Sequence, residues 1–284
     1  MLIKPIFLNF WGEQAIAILD DALAIWKQKY ESIFGILVQD PSEFQNGVIW
    51  NTVTGIIRVI EATGVSLLIT FFFYGIIKST IDYRDLIRNP RLVLMQFVRF
   101  FFAKFFVMNA TDVMLSIISV VRHILAQINP ATPTMEYSIP NDLRTALETA
   151  DWGAGMGAFA ASLVGTAMIW LLSIILVAVV YGRFFKIFLL SAIAPIPLAG
   201  FASEATSLIG RNFLKSYIAE CLRGVLMLTA CVIFSAFTTV TPEWAATSPG
   251  GMTWDYVGNV TLQMLLLVIV VKGSDRIVKE IFSL

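Results

Sequence analysis

The N-terminal part of the chain alternates apolar and charged positions at helical spacing. Charged residues such as Asp20, Asp21 and Lys27 interrupt the apolar ones, so residues 10–38 lack the continuous apolar run of a membrane span. The apolar stripe is predicted to comprise Phe10, Ile18, Ile25, Ile33 and Leu37. This pattern predicts an amphipathic helix that lies on the membrane or packs on a neighbouring subunit. We therefore assign residues 1–47 to an external N-terminal helical region.

Five later segments have the length and apolarity of membrane spans. They lie near residues 48–78, 93–124, 157–181, 217–238 and 256–272. The longest predicted loop, residues 125–156, contains a short helix near 141–150 that Asn141 is expected to cap at its N-terminus. The predicted fold class is all-α: a polytopic membrane protein whose transmembrane domain covers residues 48–284.

The distribution of basic residues predicts the orientation of these spans. Eleven of the twenty basic residues lie after the first span, within residues 183–215 or after the last span. Only four lie in the alternate loops. Since cytoplasmic loops carry the excess of Lys and Arg, the count predicts an external N-terminus and an internal C-terminus.

An additional apolar segment, residues 183–201, is shorter than the spans and is interrupted by Pro195 and Pro197. If it crossed the membrane fully, the basic residues near 211–215 would face outside. A re-entrant or interfacial helical hairpin is therefore favoured over a full crossing, with Pro195, Pro197 and Gly200 at its turn. Non-helical backbone at membrane depth must be covered by protein or water, so this segment is expected to pack against other helices or line a cavity.

Composition supports a membrane protein and gives no support to an enzyme. Of the 284 residues, 57% are apolar and only 14% are charged, well below the roughly 25% of soluble domains. The single histidine, His123, leaves little scope for histidine-based metal sites or catalytic triads, and no nucleotide-binding motif occurs. No catalytic residue, metal ligand or cofactor is predicted. Cys221 and Cys231 are ten positions apart on one predicted helix, too far to form a disulfide with each other.

Charged residues within or beside the spans are the candidate functional positions. The two pairs Arg58–Glu61 and Glu220–Arg223 are each three residues apart, so each pair shares a helix face and can form a local ion pair. Such charges either pair and reach towards the membrane surface or line an aqueous path, and both interpretations stay open. The complete set is Arg58, Glu61, Arg99, Lys104, Asp112, Glu220 and Arg223. Asp112 is the strongest candidate for an aqueous or inter-subunit position.

Small residues recur at every fourth position at the start of the third span. Gly153, Gly157, Ala161 and Gly165 would lie on one helix face, which allows another helix to approach closely. The partner helix could belong to the same chain or to another subunit.

Residues 183–240 contain a recognisable order of motifs. An Ala-Pro turn follows an apolar segment, a short polar loop comes next, and a Gly-x-Asn-Phe-Leu-Lys sequence enters a helix that contains Cys and Gly. The matching residues are Ala194, Pro195, Pro197, Leu198, Gly210, Asn212, Phe213 and Lys215. This stretch resembles the TrbL/VirB-type polytopic inner-membrane subunit of conjugative type IV secretion systems, in the version carried by mobile elements of Gram-positive bacteria.

The resemblance implies a channel or scaffold subunit in the cytoplasmic membrane of a bacterium, supporting the transfer of DNA–protein complexes. It also implies a homo-oligomeric ring and, as partners, a VirB-type bitopic scaffold protein, ATPases, a pilin-like or surface component and membrane lipids, with DNA contact as a possibility. Two alternatives stay open: a small-solute transporter or permease subunit, and a scaffold of another secretion or sporulation apparatus. A transporter would favour broken helices at matching places in two halves, and the sequence shows one proline-broken segment.

Overall fold

A computed structural model describes residues 10–80, 90–128, 137–237 and 248–284. These residues form α-helices joined by short turns, with no strand among them, which confirms the predicted fold class. The helices are α1 (Phe10–Val38), α2 (Val48–Thr80), α3 (Pro90–Met108), α4 (Ala110–Ile128), α5 (Asn141–Glu148), α6 (Trp152–Ile193), α7 (Pro195–Leu198), α8 (Ser207–Phe237) and α9 (Pro249–Phe282). Short 3₁₀ helices cover Phe44–Gly47 and Ala199–Ala202.

Five helical segments are long and apolar enough to cross a membrane, in agreement with the predicted number of spans. They are Phe44–Lys78, Ala110–Ile128, Trp152–Ile193, Ser207–Ser235 and Pro249–Phe282. The protein is therefore a multi-pass membrane protein.

The region of the predicted second span consists of two helices, α3 and α4, which meet at Asn109. The backbone amide of Asn109 still donates to the Phe105 carbonyl, and that of Val113 donates to the Asn109 carbonyl, so the helical hydrogen bonding continues across the junction. The Asn109 side chain donates a second bond to the Phe105 carbonyl at 2.9 Å. Of the two helices, α4 meets the length and apolarity of a span; its 19 residues extend for about 28 Å.

Helix α6 joins two segments that the sequence pattern separated. Its 42 residues continue without interruption from the predicted third span into residues 183–193. The chain reverses only after Ile193, through α7, the 3₁₀ turn Ala199–Ala202 and the loop before α8. Pro195 occupies the first turn of α7, where a missing backbone N–H costs nothing. The end of α6 and the start of α8 form a hairpin whose turn lies at the predicted prolines. That this hairpin is re-entrant or interfacial stays a prediction.

The chain divides into two compact units. The first unit comprises Met1–Leu37, Ile128–Val180 and Leu226–Gly273, and the second comprises Val38–Gln127, Tyr181–Val225 and Ser274–Leu284. Helices α6, α8 and α9 contribute residues to both units.

In the first unit, α1 has the predicted amphipathic character with the predicted bounds, but its buried stripe differs from the predicted one. Ile33 and Leu37 are buried as expected, whereas Phe10 and Ile25 are exposed. The buried stripe comprises Ala15, Leu19, Ala22, Leu23, Trp26, Tyr30, Ile33 and Leu37. Successive residues of a helix are about 100° apart, so this set stays on one face while Phe10 and Ile25 lie well to one side of it.

Two polar contacts fix α1 within the first unit. The Tyr30 hydroxyl donates to the Cys231 carbonyl at 2.7 Å, and Asp20 forms an ion pair with Arg144 of α5 at 2.8 Å. Helix α5 confirms the short helix predicted in the loop. The predicted cap is wrong, because Pro140 holds the N-cap position and no side chain caps the helix.

In the second unit, the turn of the hairpin is enclosed by α2 and α3. Leu198, Ala199 and Ala202 have no exposed surface, and the Gln96 side chain of α3 donates to the Ala202 carbonyl at 2.9 Å. The proline segment thus packs against other helices, as its prolines predict. Its approach to α2 is close: a methyl group at Gly64 would lie 2.9 Å from the Pro195 carbonyl oxygen.

Aromatic contacts fix the direction of the helices in the second unit. Near the start of α2, Phe44 stacks on Phe184 at 5.0 Å and Trp50 contacts Phe188 at 6.3 Å. Near its end, Phe72 contacts Phe100 of α3 at 4.7 Å. Since Asp40 also pairs with Arg122 of α4, helices α3 and α4 run antiparallel to α2, whereas residues 184–203 run parallel to it.

Candidate functional site

Five charged side chains of α6, α8 and α9 meet in the second unit, and we call them the ion cluster. They are Lys186, Glu220, Arg223, Asp275 and Lys279. The Lys186 ammonium pairs with Glu220 and, at 3.1 Å, with Asp275. Arg223 pairs with Glu220 at 3.1 Å and lies 3.7 Å from Asp275. All three helices are therefore joined through two carboxylates.

Helical spacing explains the two contacts that lie within a single helix. Glu220 and Arg223 are three residues apart on α8, while Asp275 and Lys279 are four apart on α9, so each pair shares a helix face. Lys186 reaches from α6 to both carboxylates. The Glu220 side chain is only 3% exposed, and burying a carboxylate so deeply is costly without such partners.

Arg183 lies one helical turn before Lys186 and is completely enclosed. Its guanidinium donates to the Cys221 carbonyl at 3.1 Å and to the Glu220 carbonyl at 3.5 Å, and its Nη1 has no hydrogen-bond partner. The group fits because residue 224 of α8 is glycine: a methyl group there would lie 2.2 Å from the guanidinium carbon. Arg183 therefore holds α6 directly against the α8 backbone.

A cavity of about 510 Å³ borders the ion cluster. Leu190, Ala219, Val278 and Leu284 supply apolar walls beside the charged groups. Chemically, the cluster is a closed set of ion pairs that fixes the register of three helices. Glu220 is the buried member, and removing both of its cationic partners, Lys186 and Arg223, would leave its charge without compensation, which is strongly destabilising.

The predicted pair Glu220–Arg223 forms, but the analogous pair on α2 does not. Arg58 is exposed and Glu61 is partly buried, and among the described residues neither side chain has a hydrogen-bond or ion-pair partner. The same holds for the exposed side chains of Lys104 and Asp112 on α3 and α4. These four residues are charged groups on helices of a membrane protein, and the described part of the chain gives them no partner.

Arg99, the remaining charged candidate, pairs with Glu204 in the loop before α8 at 2.7 Å. The hydrogen bond from Arg99 lowers the pKa of the Glu204 carboxyl below its ordinary value, and the positive charge adds to this effect. The contact joins α3 to the C-terminal side of the hairpin turn. Glu204 is largely exposed, so the pair contributes little to stability.

The residues assigned to the hairpin turn occupy it. Pro195 is buried against α2, and Pro197 is partly buried. Gly200 permits a close approach, because a methyl group there would lie 2.9 Å from the Thr206 carbonyl oxygen. The Thr206 hydroxyl donates to the Gly200 carbonyl at 2.7 Å, which closes the turn.

The small-residue series on α6 separates into two parts within the first unit. Ala161 is fully buried, and a methyl group at Gly165 would lie 2.6 Å from a Val257 side-chain carbon, so this end packs against α9 of the same chain. At Gly153 and Gly157, by contrast, an added methyl group would meet nothing within 4 Å. The approach of α1 occurs instead at Gly155, where the added methyl would lie 3.3 Å from the Trp11 Cβ.

Sequence reasoning missed several members of the ion cluster. Lys186 and Lys279, like Arg183 beside the cluster, contributed only to the count of basic loop residues, and Asp275 was not singled out. The spacing of Asp275 and Lys279 was a usable signal, because an acid four residues before a lysine stabilises a helix. The contacts of Arg183 and Lys186 join residues more than thirty positions apart, which no local pattern indicates.

Comparison with known proteins gives one match. A family model described as TrbL/VirB6 plasmid conjugal transfer like protein matches residues 27–195. The matched region runs from within α1 to Pro195, so it contains α2 to α6 and only the beginning of the motif-bearing stretch 183–240. No curated protein and no solved structure matches the chain significantly.

Proposed function

Since the chain belongs to the TrbL/VirB6 plasmid conjugal transfer-like family, we propose that it is a channel or scaffold subunit of a conjugative type IV secretion system. Family membership makes it a component of conjugal-transfer machinery in the cell membrane. The finer proposal is that it supports the passage of DNA–protein complexes across that membrane. The observation that carries the proposal is the extent of the family match, which covers more than half of the chain.

The fold supports a structural subunit better than a solute transporter. A transporter is expected to break helices at matching places in two halves. The proline break after α6 has no proline-broken counterpart among the described helices. The ion cluster, moreover, joins three helices through mutually satisfied charges, an arrangement that holds helices together rather than one that releases a substrate.

We assign partners according to the family. The chain forms a homo-oligomer, arranged as a ring, and works with a VirB-type bitopic scaffold protein, ATPases and a pilin-like or surface component. The open end of the small-residue series, Gly153 and Gly157, supports close contact with a neighbouring helix. Exposed phenylalanines of α3, among them Phe101, Phe102 and Phe105, provide an apolar face for lipid. Pro195, Pro197 and Gly200 act as the hinge of the hairpin.

The first test is conjugation after in-frame deletion of the gene, with complementation in trans. We expect transfer frequency to fall below detection and to return with the intact gene, because a missing membrane subunit prevents assembly of the machine. A complementing copy with Arg276→Gln serves as a control, because Arg276 is highly exposed and, among the described residues, pairs only with Glu280 on its own helix. Unchanged transfer in the deletion strain would exclude the proposed role.

A further inference from the structure

Two exposed charges of opposite sign on α2 and α4 lack a partner among the residues that the structure describes. Arg58 and Asp112 both belong to the second unit and to candidate spans, Phe44–Lys78 and Ala110–Ile128. Both side chains are exposed, and neither has a hydrogen bond or ion pair among the described residues. A charge on a membrane helix without water or a counter-charge is costly, and the described residues supply a counter-charge to neither of them.

The two charges lie at the same height along the second unit. Phe72 contacts Phe100, and from this shared point Arg58 is fourteen residues away along α2 and Asp112 is twelve residues away along α3 and α4. Helical rise converts these separations to about 21 and about 18 Å, and both run in the same direction because the helices are antiparallel. The backbone hydrogen bonds across Asn109 justify counting α3 and α4 together.

A second route through the hairpin gives the same result. The Tyr217 hydroxyl is 3.0 Å from the Ser191 hydroxyl and donates to the Met114 carbonyl at 3.4 Å, so Met114 is level with residue 191 of α6. Residues 188 and 195 lie beside Trp50 and Gly64 of α2, respectively. Counting from these two contacts places residue 191 between the levels of Val53 and Ile60 of α2, an interval that contains Arg58, while Asp112 is two positions from Met114.

Equal height determines which kind of partner fits. In a cyclic assembly around an axis perpendicular to the membrane, every residue keeps its height from one copy to the next. A cation on one face and an anion on another face, at one height, can therefore meet across each contact of a closed ring. Lipid headgroups would not require a matched anion and cation on two helices at the same level.

We propose that Arg58 of one copy pairs with Asp112 of the next copy, so that α2 and α4 form the contact between neighbouring subunits. This inference rests on the proposed homo-oligomer and specifies its interface. Lys104 is four residues beyond Phe100 along α3, which places it at the level of Leu68 of α2. Between Glu61 and Lys78, α2 has no charged residue, so Lys104 has no oppositely charged residue of α2 at its level.

Charge reversal tests the pair, with oligomer size measured by native mass spectrometry of the full chain in lipid nanodiscs. Arg58→Glu and Asp112→Arg, each alone, are expected to lower the oligomeric fraction about tenfold or more at fixed concentration, because every contact then brings like charges together. The double variant Arg58→Glu with Asp112→Arg is expected to recover assembly. The control Lys104→Glu is expected to assemble as the wild type does.

Mixing the two single variants distinguishes a contact between copies from one within a copy. A copy with Arg58→Glu alternating with a copy with Asp112→Arg restores opposite charges at every contact, so the mixture is expected to assemble in even numbers of copies. The proposed pair would be overturned if neither the mixture nor the double variant recovered the oligomeric fraction. It would also be overturned if Lys104→Glu lowered the oligomeric fraction equally. Wild-type size in both single variants would overturn it too. A monomeric wild type would instead contradict the proposed oligomer itself.

Discussion

At the scale of single residues, the guanidinium of Arg183 packs closely against Gly224. Burying a charged group is costly unless its donors find acceptors, and the carbonyls of α8 supply acceptors to Nε and Nη2 of Arg183. Access to these carbonyls depends on the absence of a side chain at residue 224. Gly224 therefore permits a contact between α6 and α8 that larger residues would block.

Gly224→Ala is expected to destabilise the protein by about 1–3 kcal/mol, the cost of losing hydrogen bonds from a buried charged group. The matched control is Gly182→Ala, where the new methyl group meets nothing within 4 Å. This control is expected to be neutral or slightly stabilising, since alanine favours a helix over glycine. Thermal unfolding of both variants in detergent gives the comparison. Equal midpoints would show that Arg183 moves aside without cost.

Sequence reasoning reached the candidate site only in part. Glu220 and Arg223 were predictable as a pair because their spacing is local. For Arg58 and Glu61 the same spacing predicted a pair that does not form, since the two side chains are accessible and nothing constrains them to meet. The role of Lys186 depends on the approach of α8 and α9, which is tertiary information.

At the scale of secondary-structure elements, the spans were predictable because apolar length is a local property. Their ends were less predictable. Arg183 and Lys186 suggested the end of the third span, yet α6 continues through both because carbonyls and carboxylates of other helices receive their charges. The junction at Asn109 was missed as well, because the helical hydrogen bonding continues around it and neither Pro nor Gly indicates a break.

The contact between α2 and the hairpin turn gives a prediction for whole elements. Gly64→Leu is expected to displace Pro195, because the approach involves backbone and a rigid ring rather than a flexible side chain. The yield of monodisperse protein should fall while membrane insertion, measured by resistance to alkaline extraction, is retained. Gly55→Leu on the same helix, where an added methyl group meets nothing within 4 Å, should behave as the wild type does. Loss of insertion in Gly64→Leu would contradict this account.

At the scale of the whole molecule, the orientation of the chain in the membrane stays a prediction from the sequence. The basic-residue count places the start of the first span outside and residues 183–186 inside. In the second unit, however, Phe44 stacks directly on Phe184. A count of charges per loop therefore gives an incomplete description here, because Arg183 and Lys186 belong to buried contacts rather than to a loop.

Site-specific cysteine labelling measures the orientation directly. With an external 241–255 loop and an internal C-terminus, Ser248→Cys is expected to react with a membrane-impermeant maleimide in intact cells. Ser283→Cys should react only after permeabilisation. The native thiols of Cys221 and Cys231 are buried, so their background reaction is low. The reverse pattern would mean that the positive-inside count gives the wrong orientation for this chain.

The enclosed hairpin turn has a consequence for biosynthesis. Ribosomes deliver a chain from its N-terminus, and the two helices that enclose the turn, α2 and α3, precede it by more than eighty residues. Their enclosing surface is therefore synthesised before residues 194–202 emerge. The helices that enclose this short, proline-containing segment are thus already present in the membrane when it arrives. The order of the elements along the chain therefore matches the order in which they can assemble.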